Sequence, residues 1–471
     1  MTDLELCYLE AVEALRLFRS RALSPVDLLE AQIARAQEVE GRVNAFATTR
    51  YEQALQQARL AEQRYAKGGE LRALEGIPTV LKNEHTLVGD NTNLGSTLLT
   101  DAVDEENAPV TDRLLDAGAV IQGKSNVPEF LCAIFTWTKL YGATATPWNL
   151  EANAGGSSGG SAAALASGTT TLATGSDIGG SIRIPACFNG VVGFKPTYGR
   201  VPEADPVYAF NPYNHNGVLA HTVRDCSLMF DVLHGPDPRD MTTLAPKLDV
   251  PDAFGNIRGR RIALSIDLGY YAVDPVIERN TRNAASALSN CGAKVVEVEL
   301  PWTRRAGQAA ADNLAFTMGK VLAANINGME ESVCDYVVEL ARLGEEKSIQ
   351  DYHSSLELAA EMFRSLADVF DDCDALLCPT MAVPRLPLEG VTPHLPTFLE
   401  AAMTYPFNML SRCPVLSIPS GFSDCGVPTG VQIVGRPYAD LDALTIGANL
   451  ERELDWRGGR RPFQANSATV S

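Results

Sequence analysis

The chain has 471 residues, of which 45% are hydrophobic and 21% are charged, a balance typical of a globular protein with a large core. Its formal net charge is −19, so we expect neither a nucleic-acid partner nor binding to an anionic membrane. No apolar run in the sequence approaches the roughly 20 residues that a helix needs to cross a bilayer.

The cysteines and histidines form no metal-site pattern. Ten cysteines are scattered from Cys7 to Cys425 without a CxxC pair, and the six histidines form no HExxH cluster. We therefore expect no metal and no cofactor, and a reducing cytoplasm as the location. The first 20 residues, with acidic side chains early, predict an amphipathic helix rather than a signal peptide.

The N-terminal third predicts helices followed by alternating strands and helices. Ser24 is a candidate N-cap and Pro25 fits the first position of the helix that follows. A second helix is expected over 51–66, and GIPTVLKN at 76–83 has the pattern of a short buried strand. Residues 108–126 predict a helix, a glycine turn and another strand, the alternation found in a layered α/β core.

The rest of the chain continues this alternation. Long helices are expected over 275–289, 306–325 and 348–370. Further strands are expected at five places, which are 261–267, 294–300, 374–380, 414–420 and 429–435. The predicted fold class is α/β: a single large core with a mixed, mostly parallel β-sheet flanked by helices.

Two GGS clusters, at 155–157 and 179–181, lie next to segments typical of regular structure. SAAALASG after the first favours a helix, and TTTLATGSD before the second favours a strand. Glycine permits positive φ and lets backbone N–H groups approach a ligand closely. The second cluster therefore presents consecutive amides beside the Ser181 hydroxyl, where they could stabilise an oxyanion. A tight turn with a solvated serine is the open alternative.

A serine nucleophile needs a base, because its hydroxyl is unreactive at neutral pH. No histidine is close to either cluster in sequence, and an SxxK pair is absent. GGSSG at 155–159 matches the G-x-S-x-G nucleophile elbow, but that motif should follow an apolar strand. The polar TPWNLEANA precedes it instead. The residues alone leave the base open.

The glycine-serine motifs and several other stretches resemble the amidase signature family. The resemblance spans most of the chain and rests on GGSSGGSAAALASG, GSDIGGSIRIPACFNGVVGFKPTYGRVP and GIPTVLKN, with GKSNVPEF at 123–130, YGATATPWN at 141–149 and the segment 405–437. It implies a single amidase domain over 1–471, with a helical N-terminal segment over about 1–70, a signature core over about 71–235 and a remaining α/β and helical portion over about 236–471.

The resemblance implies a Ser–cis-Ser–Lys triad. Ser181 would be the nucleophile, Ser157 the bridging serine after a cis peptide bond, and Lys82 the base. Burial would lower the lysine's pKa enough for it to accept a proton. The oxyanion hole would consist of four backbone amides, those of Ile178, Gly179, Gly180 and Ser181.

Other residues are expected to support the site or bind substrate. Ser158 would form a hydrogen bond within the site or within its loop, and Asp177 and Arg183 would brace the nucleophile loop as an ion pair. His85 is expected to make a satisfied polar contact rather than to act as a second base. The candidate substrate-binding residues are Trp137, Thr138 and Arg412, and candidates for an apolar pocket wall are Phe135, Tyr208, Phe407 and Met409.

The predicted activity is hydrolysis of a carboxylic amide, with aryl or alkyl amides, carbamates and esters all within reach of the resemblance. Arg412 could bind an acidic group of the substrate or form a surface ion pair. The alternative is the ammonia-releasing glutaminase component of a tRNA-dependent amidotransferase, which works inside a multi-subunit complex. The expected partner is a small-molecule amide, and the resemblance leaves a homodimer open.

Overall fold

A computed structural model describes residues 1–205, 210–389, 395–458 and 460–463. An 11-stranded mixed sheet runs through this part of the chain, with helices packed on its faces. Two short two-stranded sheets accompany it. A mixed sheet flanked by helices was predicted and is confirmed.

The strands are close to the segments expected from the sequence, with short additional strands between them. In chain order they are β1 Phe46–Thr49, β2 Pro78–Lys82, β3 Val120–Ser125, β4 Trp137–Thr138, β5 Gly142–Ala143, β6 Ala145–Thr146, β7 Asn149–Asn153, β8 Leu172–Asp177, β9 Val192–Lys195, β10 His215–Ala220, β11 Arg261–Leu264, β12 Lys294–Glu297, β13 Ala375–Pro379, β14 Val415–Phe422 and β15 Pro428–Gly435.

Helices cover the segments predicted to be helical, but the one helix expected over the first 20 residues is divided in two at residues 8–10. They are α1 Asp3–Cys7, α2 Ala11–Ser20, α3 Pro25–Val43, α4 Tyr51–Lys67, α5 Pro109–Asp116, α6 Gly159–Ser167, α7 Arg183–Asn189, α8 Val223–Leu233, α9 Pro275–Asn290, α10 Arg305–Leu314, α11 Lys320–Ile326, α12 Asp335–Glu346, α13 Ile349–Asp372, α14 Leu395–Ala401, α15 Pro406–Met409 and α16 Asp440–Glu453. A π-helical turn, Ala315–Gly319, joins α10 to α11, so the helix expected over 306–325 is continuous but locally widened.

The strand order in the large sheet is β1-β3-β2-β8-β10-β9-β14-β15-β13-β11-β12. Parallel pairs lie on the two flanks, where β2 pairs with β3 and β8, and β11 pairs with β12 and β13. The pairs between β8 and β13 in the sheet order are antiparallel. The parallel share is thus smaller than predicted, because short connections such as the one between β14 and β15 can only join antiparallel strands.

The flank formed by β2 and β8 positions the glycine-serine loops. The two strands are parallel and adjacent, with Thr79 beside Leu172 and Val80 beside Ala173. Their carboxyl ends therefore lie at the same edge of the sheet, where ligands bind in open α/β sheets. Lys82 ends β2 and Asp177 ends β8, so the lysine and the second glycine-serine cluster meet at this edge.

Candidate active site

Lys82 is buried at the carboxyl end of β2. Its backbone N–H donates to Thr174 Oγ1 on β8 at 2.8 Å, which fixes the direction of the side chain. The Lys82 Nζ atom lies 2.8 Å from Ser157 Oγ. The structure thus brings together two of the three residues predicted to form the triad.

Ser157 lies in the loop between β7 and α6, and the Gly156–Ser157 peptide bond is cis. A side chain at Gly156 would place its Cβ 2.6 Å from the carbonyl oxygen of Phe135 and 2.8 Å from that of Ala133. Real Cβ atoms do not approach backbone this closely, so the loop requires glycine at this position. The first glycine-serine cluster is therefore a tightly packed loop and not a flexible linker.

Ser181 lies on the turn between β8 and α7, and its side chain faces a cavity. The backbone N–H of Ser158 donates to the carbonyl oxygen of Ser181 at 3.0 Å, which ties the two serine loops together. Ser181 Oγ has no direct hydrogen bond to Ser157 Oγ among those formed by the described residues. Catalytic hydrogen bonds are often long before substrate binds and tighten in the complex.

The four predicted oxyanion amides are not equivalent. The Gly180 N–H donates to Asp177 Oδ1 at 2.7 Å, so the prediction that it contributes to the oxyanion hole needs correction. In the described part of the chain, the backbone N–H groups of Ile178, Gly179 and Ser181 donate to no other residue. A Cβ on Gly179 would meet open space, so this residue borders the empty volume beside Ser181.

Asp177 and Arg183 form the ion pair that the sequence predicted. Both side chains are fully buried, and Arg183 Nη2 lies 2.8 Å from Asp177 Oδ1. Burial by itself would raise the pKa of Asp177, but the Arg183 guanidinium and the amide of Asn408 outweigh burial and lower it well below its usual range. The carboxylate also accepts the N–H groups of Gly180 and Ile182. The pair thus braces the turn that carries Ser181.

Two polar partners of Lys82 were missed by the sequence analysis. Nζ lies 2.7 Å from Ser176 Oγ and 3.3 Å from Glu84 Oε2, and the Ser176 hydroxyl donates to the same Glu84 oxygen at 2.5 Å. Burial lowers the pKa of Lys82, and the Glu84 carboxylate opposes this shift. An acidic residue two positions after the lysine was the available signal, but the sequence does not show that its side chain turns back toward Nζ.

A second layer of polar groups surrounds this cluster. Burial, reinforced by the nearby Glu84 carboxylate, raises the pKa of Glu203 to about 8, so Glu203 is mostly protonated at neutral pH. His85 is buried, and its ring nitrogens lie 2.8 Å from Thr174 Oγ1 and 3.1 Å from Asn216 Oδ1. Burial lowers the pKa of His85, and its satisfied contacts agree with the prediction that it is not a second base.

Ser181 opens into an apolar cavity. The wall comes from the segment before β4, the loop after β8 and helices from the second half of the chain. The lining residues are Leu131, Cys132, Ala133, Ile134, Ile178, Gly179, Ser181, Leu314, Met318, Leu340, Phe398, Leu399 and Ala402. Within the described residues, no charged side chain lines this cavity.

The three predicted substrate-binding residues lie outside this lining. Trp137 is half-buried and packs against the apolar cluster that includes Met318 and Leu340. The Thr138 hydroxyl accepts the backbone N–H of Tyr141 at 2.8 Å. Trp137 therefore packs against residues of the cavity wall, and the Thr138 hydroxyl is engaged by a backbone group three residues away.

Arg412 is engaged away from the cavity. Its Nη1 donates to the carbonyl oxygen of Tyr198 at 2.7 Å, and its guanidinium lies over the rings of Tyr198 and Tyr438. Arg412 therefore forms no surface ion pair with another described residue, and its guanidinium is not left free to bind an acidic substrate.

Of the residues predicted to form an apolar pocket wall, one contacts the cavity lining and two lie in the core. Phe135 contacts the rings of Tyr336 and Phe398, and Phe398 lines the cavity. Phe407 and Met409 belong to the buried core. Tyr208 lies outside the described residues.

Two further properties of the described residues bear on chemistry. No group of three or more His, Cys, Asp or Glu side chains among them is placed to hold a metal ion. None of the helices in this part of the chain is both long enough and apolar enough to cross a membrane.

Several known proteins resemble this chain in sequence and in fold. The sequence pattern of the family described as Amidase matches residues 27–444. A glutamyl-tRNA(Gln) amidotransferase subunit from Chloroflexus aggregans is 36% identical over 98% of this chain and 100% of its own length. An acylamidase from Rhodococcus erythropolis is 33% identical over 97% of this chain and 98% of its own. The crystal structure of a bacterial aryl acylamidase of the amidase signature family superposes with a TM-score of 0.87 at 30% identity, covering 96% of this chain and 97% of that one.

Proposed function

Because the chain belongs to the amidase family, we propose that it hydrolyses a carboxylic amide through an acyl-enzyme formed on Ser181 Oγ. The observation that carries this proposal is the buried Lys82 Nζ, 2.8 Å from Ser157 Oγ, beside the turn that presents Ser181. Burial lowers the pKa of Lys82, which favours the neutral amine that must accept a proton when a serine is activated.

Acylation proceeds by two linked proton transfers. Ser181 Oγ attacks the amide carbonyl carbon and gives its proton to Ser157 Oγ, while Ser157 gives its own proton to Lys82 Nζ. The tetrahedral intermediate then collapses with cleavage of the C–N bond. Ser157 protonates the departing nitrogen and recovers a proton from Lys82, which returns to the neutral amine.

Deacylation repeats this sequence with water in place of Ser181. Water attacks the ester carbonyl and loses a proton through Ser157 to Lys82. When the C–O bond to Ser181 breaks, the proton returns to Ser181 Oγ. The products are the carboxylic acid and the amine. The backbone N–H groups of Ile178, Gly179 and Ser181 would donate to the negatively charged oxygen of each tetrahedral intermediate.

The cavity beside Ser181 favours a neutral, apolar acyl group. Leucine, isoleucine, methionine and phenylalanine side chains dominate its lining, and burial of a charged group there without a partner would be costly. We therefore infer that the substrate is an amide of an uncharged aliphatic or aromatic acid.

A glutaminase component of an amidotransferase is the second candidate, since a glutamyl-tRNA(Gln) amidotransferase subunit is 36% identical to this chain. Glutamine carries an α-carboxylate, which calls for a cationic partner in the site. Arg412, the cation singled out from the sequence, donates to Tyr198 instead. The apolar lining and this engagement favour the free-standing amidase.

The first test labels the nucleophile and then profiles the substrate. Intact mass spectrometry after reaction with a fluorophosphonate probe should show a single adduct, which Ser181→Ala should lack. The kcat/KM values for p-nitroanilides should decrease in the order hexanoyl, acetyl, succinyl, and glutamine should not be hydrolysed. A folded parent protein that forms no adduct would contradict the proposal, and rapid glutamine hydrolysis would establish the second candidate.

We place the enzyme in the cytoplasm, with a small-molecule amide as its partner. This is supported by ten free cysteines, most of them buried, because proteins of oxidising compartments commonly pair their cysteines.

A further inference from the structure

The side chains around Lys82 form a closed triangle that the triad does not include. Glu84 Oε2 accepts the Ser176 hydroxyl at 2.5 Å and lies 3.3 Å from Lys82 Nζ, while Ser176 Oγ lies 2.7 Å from the same nitrogen. The Glu84 side chain is 7% exposed. Its Oε2 atom therefore contacts the proposed base both directly and through a second hydroxyl.

The hydrogens in this triangle can be assigned from the chemistry of its groups. A carboxylate only accepts hydrogen bonds, so the single Ser176 hydroxyl proton points to Glu84. Ser176 Oγ must then accept an N–H from Lys82. A neutral amine has two N–H bonds and one lone pair, and the second N–H lies on the side of Glu84 Oε2 and the Ser176 carbonyl oxygen, which are 3.3 and 3.5 Å from Nζ. The lone pair is left for Ser157, 2.8 Å away.

We propose that Glu84, together with Ser176, is a positioning residue that turns the lone pair of Lys82 toward Ser157 and stabilises the ammonium formed during each proton transfer. This inference rests on the proposed function, in which Lys82 is the base. Glu84 remains ionised throughout. The proton moves from Ser157 Oγ to Lys82 Nζ and later returns along the same path, so Glu84 neither gains nor loses one.

The other ionisable groups near Nζ do not replace Glu84. Asp177 on β8 is committed to Arg183, Glu203 is mostly neutral because burial raises its pKa to about 8, and His85 has both ring nitrogens hydrogen-bonded. Within 4 Å of Nζ, in the described part of the chain, Glu84 supplies the carboxylate. Its removal would leave the ammonium without a close counter-charge.

The expected effect of Glu84→Gln has a defined sign. Without the carboxylate the ammonium is less stable, so Lys82 loses its proton at lower pH and becomes a weaker base. The midpoint of the rise in rate with pH should move down by about one to two pH units. The limiting rate at high pH should fall about ten- to a hundredfold, because a weaker base removes a proton more slowly.

The experiment measures the rate of Ser181 phosphonylation by the fluorophosphonate probe from pH 5 to pH 10. This readout needs no knowledge of the natural substrate. Glu84→Asp keeps the charge and should keep the parent midpoint, and Ser176→Ala should lower the limiting rate. Glu75→Gln is the matched control, since Glu75 is a buried carboxylate paired with Arg64 and Arg72, and it should leave the midpoint unchanged.

The outcomes separate this inference from the proposed function. A parent protein that forms no adduct at any pH would contradict the proposed function. If the parent reacts and Glu84→Gln shows the same midpoint in the rise of rate with pH, the proposed role of Glu84 is overturned, whatever the limiting rate at high pH. A Glu84→Asp midpoint equal to that of Glu84→Gln would overturn it too. If Glu84→Gln does not fold, Ser176→Ala decides, and a limiting rate equal to that of the parent would overturn the proposal.

Discussion

Two buried ion pairs flank the end of β8, and they differ in how completely their polar atoms are bonded. In the first pair, Arg183 donates to both carboxylate oxygens of Asp177 and also to the carbonyl oxygen of Thr404, to Gln432 Oε1 and to Asn408 Oδ1. Every guanidinium nitrogen has a partner. This pair therefore holds the turn after β8 against the segment that contains Thr404 and Asn408.

The second pair, Lys82 and Glu84, is looser. Its closest N–O distance is 3.3 Å, against 2.8 Å for the first pair, and Lys82 also contacts the hydroxyls of Ser157 and Ser176. An arginine stays protonated under all ordinary conditions, whereas a buried lysine readily shifts its pKa. Burial alone therefore does not make an ion pair structural. A pair with an arginine and saturated bonds braces the fold, and a pair with a lysine and hydroxyl neighbours can exchange a proton.

The largest expected effect follows from removing the lysine of the second pair. Lys82→Met should lower kcat/KM for the hexanoyl anilide by about 10³- to 10⁴-fold, the range typical of a lost general base. The protein should stay folded, because Glu84 can take up a proton once its cation is gone. Steady-state kinetics and thermal unfolding measure the two effects.

The matched control is Lys124→Met. Lys124 is also buried and also pairs with a carboxylate, Asp104, at 2.8 Å, but its amine contacts Asp104 and Thr92, neither of which belongs to a serine loop. We expect this variant, where folded, to keep kcat/KM within about tenfold of the parent. A Lys82→Met enzyme with comparable activity would show that the second pair is as structural as the first.

Removing the arginine should mainly affect stability. Arg183→Met leaves Asp177 buried without its cation, and the free energy of unfolding at pH 7.5 should fall by about 3–5 kcal/mol. Urea unfolding at two pH values checks the cause. The pKa of Asp177 is lowered in the parent, so its contribution persists until the pH falls below the usual carboxyl range. In the variant burial raises that pKa, so the loss should be smaller at pH 4.5 than at pH 7.5. A loss of equal size at both values would show that packing, and not charge, is what Arg183 provides.

The last expected effect appears only as the pH rises, and it concerns the carboxyl group next to the second pair. Glu203 has its pKa raised to about 8, so the folded protein binds more protons at this site than the unfolded chain does between the ordinary pKa and pH 8. Stability is therefore lost across this range as pH rises. Glu203→Gln cannot ionise, and its free energy of unfolding should rise relative to the parent by up to about 1.4 kcal/mol per pH unit.

Urea unfolding of both proteins from pH 4 to pH 9 measures this difference. Above pH 8 it should level off, because Glu203 is then ionised in both states of the parent. A difference that does not depend on pH would mean that Glu203 is ionised beside Glu84, so that the cluster around Lys82 carries two negative charges and not one.

Much of the site's framework could be predicted from the sequence. The strand patterns before Lys82 and before Ser181 placed both residues at strand ends, and the glycine at 156 indicated a close approach of backbone. The Asp177–Arg183 pair was also predictable, because the two residues are only six positions apart in the chain. These features depend on short segments, whose conformation the local sequence largely determines.

The rest depends on contacts between distant segments. Ser176 and Glu84 meet at Lys82 only because β2 and β8 pair in parallel with Val80 beside Ala173, a register that no local pattern specifies. The Gly180 amide was assigned to the oxyanion hole because nothing in the sequence showed that it bonds to Asp177. The substrate-binding predictions at Trp137, Thr138 and Arg412 remain untested.

The cavity wall and the proposed proton-transfer groups come from different parts of the chain. Lys82, Ser157 and Ser181 lie within one hundred consecutive residues, whereas much of the wall comes from Leu314, Met318 and Leu340 and from the residues around Phe398. Selection can therefore alter the accepted acyl group through mutations in the helical portion without disturbing the chemistry. Directed evolution toward a new amide therefore has its natural starting positions in these helices.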